Sequence, residues 1–207
     1  YCDTNPETEV IFVDDGSRDG TGAVLAGAVG ERIRVLTLER NRGYGGAIKQ
    51  GVKHAAFDHV VFIDADASYP NEKIEELYKT MVEQKADMVV SARIGRHVAI
   101  GGIRHFGKFL LRRLAEYLSG QKITDLNSGL RIVRKDLFMK FIRFLPEGFS
   151  LTSTITLALL AHDYRIVYVP IDYYRRKGRS KFNPVSDTLA FLQLIIRTIM
   201  FFNPLKV

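Results

Sequence analysis

The chain has 207 residues, 46% of them apolar, and carries 30 Lys and Arg against 23 Asp and Glu for a formal net charge of +7. Such a length suits one domain with a full core, or one domain plus an appendage, and the composition is globular and excludes a disordered chain. Cys2 stands alone, which excludes an internal disulfide and a cysteine-based metal site and agrees with a reducing compartment.

The basic excess is concentrated between residues 93 and 143 and points to phosphate-rich or anionic partners. No zinc-ligand spacing, RNP-type aromatic box or heptad with a basic region accompanies it, so no nucleic-acid partner is expected.

In chain order, an apolar β-branched run at Val10 to Val13 predicts a strand, followed by a helix over about 20 to 29. A second strand is expected at Ile33 to Leu38, a helix over about 45 to 56, a strand at His59 to Ile63 and a helix over about 71 to 84. Further on, Met88 to Ser91 reads as a strand, 103 to 119 and 151 to 162 as helices, and Arg165 to Val169 as a strand. Strand and helix in alternation predict an α/β fold, a mainly parallel sheet with helices on both faces. The Gly-containing stretch from about 92 to 107 reads as a functional loop.

A last helix is expected over 187 to 202. Its sequence, Thr188 to Phe202, is apolar nearly all round, broken by Gln193 and Arg197, and suits either a core helix or an interfacial helix on a bilayer. Basic residues just ahead of it would suit an anionic lipid surface. The expected division is therefore a catalytic domain over 1–182 and an apolar C-terminal interfacial helix over 183–207. No signal peptide and no apolar run of spanning length is read in the sequence.

The chemistry gathers at strand ends. Val60-Val61-Phe62-Ile63 stops abruptly at Asp64-Ala65-Asp66, and paired carboxylates there cost several kcal/mol to desolvate unless a cation or donor compensates them. Asp64, Asp66 and Ser68 offer hard oxygen ligands at alternate positions, as Mg²⁺ or Mn²⁺ shared with substrate phosphates would need. Asp14-Asp15 closes the first strand with a second acidic pair, where a carboxylate can accept from a base N–H or a ribose hydroxyl. Gly16 permits a tight turn, and Ser17, Asp19 and Thr21 can satisfy the next helix's free N–H groups. Asn41-Arg42-Gly43-Tyr44-Gly45-Gly46 opens the second helix, either as a close-packed start or with its N–H groups facing a diphosphate. The five histidines show no metal-site spacing.

The series DDGSRDGT, NRGYGGA, DADASYP, DLNSGLR and RKGRSK resembles the family 2 glycosyltransferases of GT-A fold, in particular the dolichol-phosphate-mannose-synthase-like branch acting on polyprenyl phosphates. The resemblance runs from about Val10 to the end. It implies transfer of a hexose, with inversion, from a nucleotide-diphosphate sugar such as GDP-mannose or a UDP-sugar to dolichyl or undecaprenyl phosphate. A divalent cation, Mg²⁺ or Mn²⁺, would sit on Asp64, Asp66 and Ser68. The donor set it implies is Val13, Asp15, Asp64, Ala65, Asp66, Arg93, Arg176 and Lys181. Asp125, Ser128, Arg131 and Ser180 would line the acceptor side, with Asp64, Asp66, Asp125 and Arg131 carrying the reaction. Read without the resemblance, Asp125 could cap a turn, Arg131 could be an exposed strand charge, and Arg176 to Lys181 could be a solvated basic loop.

Relatives begin with a further strand and helix and often continue into membrane helices, so a fragment is expected, working at the cytoplasmic face of a membrane. The competing functional readings are transfer to a saccharide or lipid-glycan hydroxyl, a donor-binding subunit without activity, and a phospho-receiver module suggested by Asp14-Asp15. Receivers lack a second acidic pair at a later strand end.

Overall fold

The computed structural model describes residues 7–94, 113, 116, 120, 122–148 and 150–174. The expected helix over 187 to 202 and the basic loop from Arg176 to Lys181 lie outside them, as does the expected helix over 103 to 119 apart from Arg113 and Glu116. The chain forms two compact units, Tyr1–Val60 with Arg134–Leu151, and Val61–Val133 with Thr152–Val207.

In the first unit β1 (Val10–Asp14) and β2 (Ile33–Thr37) pair in parallel, Val10 opposite Ile33 and Asp14 opposite Thr37. Between them runs α1 (Thr21–Ala26), which buries no residue. Helix α2 (Gly43–His54) packs on β1, where a Cβ on Gly51 would sit 3.3 Å from Val13 Cγ2 and Val52 is 1% exposed. Helix α4 (Lys135–Phe141) supplies Leu137, Phe138 and Phe141 to the interior, and Lys135 Nζ reaches the Ala55 carbonyl at 2.5 Å.

Strand β3 (His59–Phe62) carries the chain across the unit boundary, and the remaining strands are β4 (Met88–Arg93), β5 (Arg131–Arg134) and β6 (Ile166–Ile171). The sheet order is β3-β5-β4-β6. β4 runs parallel to β6, Met88 opposite Ile166, but antiparallel to β5, Met88 opposite Val133. This sheet is thus mixed, with β5 as its antiparallel member, while the pairings of β1 with β2 and of β4 with β6 are parallel as expected of the α/β fold. Strand β5 and helix α4 were not anticipated: Arg131-Ile132-Val133-Arg134 holds only two apolar residues, too short a run to announce a strand. What makes it a strand is long-range pairing with β4, a central strand whose Met88 to Ala92 are all buried.

Helix α3 (Lys73–Glu83) covers this sheet with Leu77 and Met81, which join Val89, Leu130, Ile132, Val169 and Ile171 in one core. Helix α5 (Leu151–Ala161) is buried from Leu151 to Leu160, consistent with its apolar composition on every face. Among the described residues no helix is long and apolar enough to cross a membrane.

Candidate functional site

In the first unit the acidic pair at the end of β1 divides its work. Asp14 is 4% exposed and its Oδ1 accepts the Ser17 N–H at 2.9 Å, closing the turn that Gly16 enters with φ of 70°. Asp15 turns the other way, accepting the Arg42 N–H at 2.7 Å and the Gly43 N–H at 2.8 Å. Asp19, rather than Ser17, serves the start of α1, accepting the Thr21 N–H at 3.1 Å.

These contacts decide between the two readings of the glycine-rich segment. The Gly46 N–H donates to the Glu147 carbonyl at 3.0 Å, and a Cβ on Gly45 would lie 2.4 Å from the Pro146 carbonyl oxygen. Gly43 has φ of 80° and would bring a Cβ within 2.9 Å of the Glu147 oxygen. The glycines therefore let α2 start against the backbone of residues 146–148, and the N–H groups of Arg42, Gly43 and Gly46 are committed to Asp15 and Glu147.

In the second unit, Asp64-Ala65-Asp66 leaves the end of β3 in a strained turn. Ala67 has φ of 56°, a left-handed conformation that a residue with a Cβ adopts at a cost and that clusters at functional sites. Asp66 Oδ1 accepts both the Ser68 N–H at 3.1 Å and the Ser68 hydroxyl at 2.5 Å. Ser68 is 1% exposed and its carbonyl accepts the Tyr174 N–H at 3.0 Å, so the turn is fixed at its far end. Asp64 rests on Gly129, where a Cβ would come within 2.4 Å of its Oδ2.

Gly129 belongs to the segment expected on the acceptor side. Its N–H donates to the Tyr69 phenolic oxygen at 2.6 Å, and burial pushes the Tyr69 phenol above its ordinary pKa. The Tyr69 ring meets Tyr173 edge-on at 5.2 Å, and the Arg93 guanidinium lies 5.4 Å from the Tyr173 ring centre. Arg93 in turn holds Asp125 through three bonds, Nε to Oδ2 at 2.7 Å, Nη2 to Oδ1 at 2.9 Å and its backbone N–H to Oδ2 at 3.2 Å. Burial opposes ionisation of Asp125, but the hydrogen bonds and charge of Arg93 outweigh it and hold the carboxyl below its usual range.

Ser128 and Arg131 are both 0% exposed. The Ser128 hydroxyl meets that of Ser91 at 2.8 Å. Arg131 donates to the carbonyls of Ser128 at 2.5 Å and Thr152 at 2.8 Å and to Thr156 Oγ1 at 2.9 Å. A group so enclosed meets no substrate phosphate unless its surroundings open; here it ties residues 126–128 to α5. Helix α5 also fixes Asn127, whose Oδ1 accepts the Ser153 hydroxyl at 2.5 Å.

The structure thus brings Asp64, Asp66, Ser68, Arg93, Asp125, Ser128 and Arg131 into one unit. Val13 and Asp15 belong to the other, Ala65 is exposed on the Asp64–Asp66 turn, and Arg176, Ser180 and Lys181 lie outside the described residues. Tyr69, Tyr173 and Asn127 were missed. Their spacing from the acidic motifs carries no chemical signature, and only the contacts reveal them.

Among the described residues no three His, Cys, Asp or Glu side chains gather as a metal site. Two carboxylates on one turn nonetheless fit a cation such as Mg²⁺, which is commonly held by one or two carboxylates together with substrate phosphates and water. The Ser68 hydroxyl is directed to Asp66, so its observed part is to orient that carboxylate.

Comparison with known proteins agrees with these motifs. Relatives include a dolichyl-phosphate hexose transferase of Haloferax volcanii, 28% identical over 94% of this chain and 82% of that one. An undecaprenyl-phosphate 4-deoxy-4-formamido-L-arabinose transferase of Pseudomonas fluorescens is 29% identical over 97% of this chain, which spans only 57% of that relative. Glucosyl-3-phosphoglycerate synthase from Mycobacterium tuberculosis, solved with Mn²⁺, UDP and glucosyl-3-phosphoglycerate, superposes with a TM-score of 0.64 at 22% identity, covering 94% of this chain and 68% of that one. Staphylococcus aureus TarS with UDP gives a TM-score of 0.64 at 20% identity over 94% of this chain and 57% of that one. The fold is accordingly GT-A-like. The sequence model of glycosyl transferase family 2 matches residues 2–142, and the chain belongs to that family.

Proposed function

We propose that this glycosyltransferase moves a hexose from a nucleotide-diphosphate sugar to a polyprenyl phosphate, with inversion, at the cytoplasmic face of a membrane. The observation that carries the reading is the Asp64–Asp66 turn, two carboxylates oriented by Ser68 and seated on Gly129. Its support from relatives is that two of them are named for dolichyl phosphate and undecaprenyl phosphate.

In this reading Asp64 and Asp66 hold Mg²⁺ or Mn²⁺ against the donor diphosphate. The bound cation would neutralise charge developing on the leaving nucleotide diphosphate. Ala65, Arg93, Arg176 and Lys181 add donor contacts, and the Asp125–Gly129 segment with Ser180 lines the acceptor side. The phosphate oxygen of the acceptor attacks the anomeric carbon, the bond from that carbon to the diphosphate oxygen breaks, and the electron pair leaves with the nucleotide.

A phosphate monoester has its second pKa near 6 and is already an anionic nucleophile at neutral pH, so no side chain need remove a proton. Asp125 supports this choice over a hydroxyl acceptor. A hydroxyl needs a general base with a pKa near the working pH, and Arg93 holds the Asp125 carboxyl low, which makes it a weak base. The residues instead supply positioning and charge stabilisation.

Asp66→Ala is the decisive variant. Transfer from labelled UDP- and GDP-sugars into polyprenyl phosphate should disappear while the melting temperature stays close to wild type. Retained transfer would refute the assignment, and the anomeric configuration of the product, read by NMR, tests inversion separately.

A further inference from the structure

The contacts around Tyr69 join two segments that the proposed function assigns to different substrates. Tyr69 follows Asp66 on the same fixed turn and is 4% exposed. Its phenolic oxygen takes the Gly129 N–H at 2.6 Å, while the Cα of Gly129 is the surface on which Asp64 rests. From Tyr69 the packing continues through Tyr173 to Arg93 and on to Asp125, whose Oδ1 also accepts the Asn127 N–H at 3.1 Å. The contacts therefore return to the 125–129 segment and close a ring. Neither segment can shift without disturbing the other, because Gly129 has one backbone donor on the Tyr69 oxygen and its α-carbon against the Asp64 carboxylate.

We propose that Tyr69 is a positioning residue which couples the Asp64–Asp66 turn to the Asp125–Gly129 segment, so that cation–diphosphate binding at the first strengthens acceptor binding beside the second. The inference rests on the donor and acceptor assignment above. It adds that the two substrates bind cooperatively and names the phenol that transmits the effect. Linkage makes the effect reciprocal: whatever factor the diphosphate adds to acceptor affinity, the acceptor adds to diphosphate affinity.

Tyr69→Phe removes the acceptor of the Gly129 N–H while retaining the ring that packs on Tyr173. The wild-type chain and this variant are titrated with Mn²⁺ plus UDP, Mn²⁺ plus GDP, and farnesyl phosphate, each alone and in the presence of the other class. In the wild type the Mn²⁺–nucleotide should tighten farnesyl phosphate binding by about fivefold or more, the lower end of ordinary coupling. In Tyr69→Phe that factor should fall below about twofold, with the melting temperature nearly unchanged. A merely structural role would move the melting temperature and leave the coupling factor alone, and that result overturns the proposal. So does undiminished coupling in the variant, or wild-type binding of both ligand classes without coupling; the assignment of the two substrates survives either. A wild type that binds Mn²⁺ with neither nucleotide refutes the functional assignment itself, and the coupling with it.

Discussion

Gly129→Ala isolates the seat of Asp64. The Gly129 backbone is outside the left-handed region, so alanine is permitted by its conformation and only the added methyl matters. That carbon would lie 2.4 Å from Asp64 Oδ2 and 2.8 Å from both Cγ and Oδ1. A carbon and an oxygen settle at about 3.3 Å or more, so the carboxylate must retreat by roughly 1 Å. Asp64 is only half-buried and its side chain can give way, which puts the cost to the fold near the low end of overpacking, about 1 kcal/mol. For a chain of this size that is a fall in melting temperature of about 2–4 °C.

The cost to catalysis is larger. A displacement of about 1 Å at a reacting centre is worth roughly 100-fold in rate. Initial rates of labelled sugar transfer, measured beside thermal melts of the same preparations, should therefore separate: a rate about two orders of magnitude down in a protein almost as stable as wild type. Undiminished kcat with alanine in place would refute the reasoning, as would a rate loss that merely tracks a melt lowered by 10 °C or more.

Gly45→Ala should act on the fold instead, because its methyl would meet the Pro146 carbonyl oxygen at 2.4 Å and backbone cannot swing aside; a loss of about 2–3 kcal/mol in urea denaturation is expected. Asp125→Asn leaves the Arg93 guanidinium without its carboxylate at 23% side-chain exposure, costing about 2–4 kcal/mol, somewhat less than a fully buried pair. Folding lowers the Asp125 pKa, so the pair's contribution is complete above the ordinary range near 4 and is lost as pH falls through the lower folded value. Urea midpoints taken at successive pH values below about 4 should fall less steeply in Asp125→Asn than in wild type.

The acidic strand ends were legible because chemistry contradicts packing there: an apolar run that stops at Asp64 and Asp66, or at Asp14 and Asp15, has no core-building reason to do so. Parallel strands with long apolar runs were legible for the same periodic reason, and β1 to β4 fall where those runs lie. Strand β5 was not, because its pairing with β4 is non-local and its two apolar residues carry no pattern. The glycine-rich start of α2 illustrates a different limit. Its spacing suits both a phosphate cradle and a tight helix contact, and only the approach of the 146–148 backbone distinguishes them. Tyr69 was invisible for the plainest reason: a tyrosine's hydrogen-bond partner sixty residues away leaves no trace in local sequence.

Arg131 shows how a motif residue can owe its identity to the fold. A phosphate-facing arginine and a core-bracing arginine leave the same letter in the sequence, but they respond differently to lysine. Lysine retains the positive charge and loses the planar fork of donors. At a phosphate it would keep most of the attraction, so Arg131→Lys would raise the acceptor KM and leave the melt near wild type. In the structure the fork is what matters, since four separate acceptors, the carbonyls of Leu126, Ser128 and Thr152 and the Thr156 hydroxyl, surround a group with no exposed surface. A single ammonium cannot reach all of them, and each buried acceptor left unmet costs about 1–3 kcal/mol. Arg131→Lys should then lower stability by roughly 2–4 kcal/mol, and activity should fall with the folded fraction rather than through KM. A variant as stable as wild type with a selectively raised acceptor KM would return Arg131 to the substrate and remove it from the frame that holds residues 126–128.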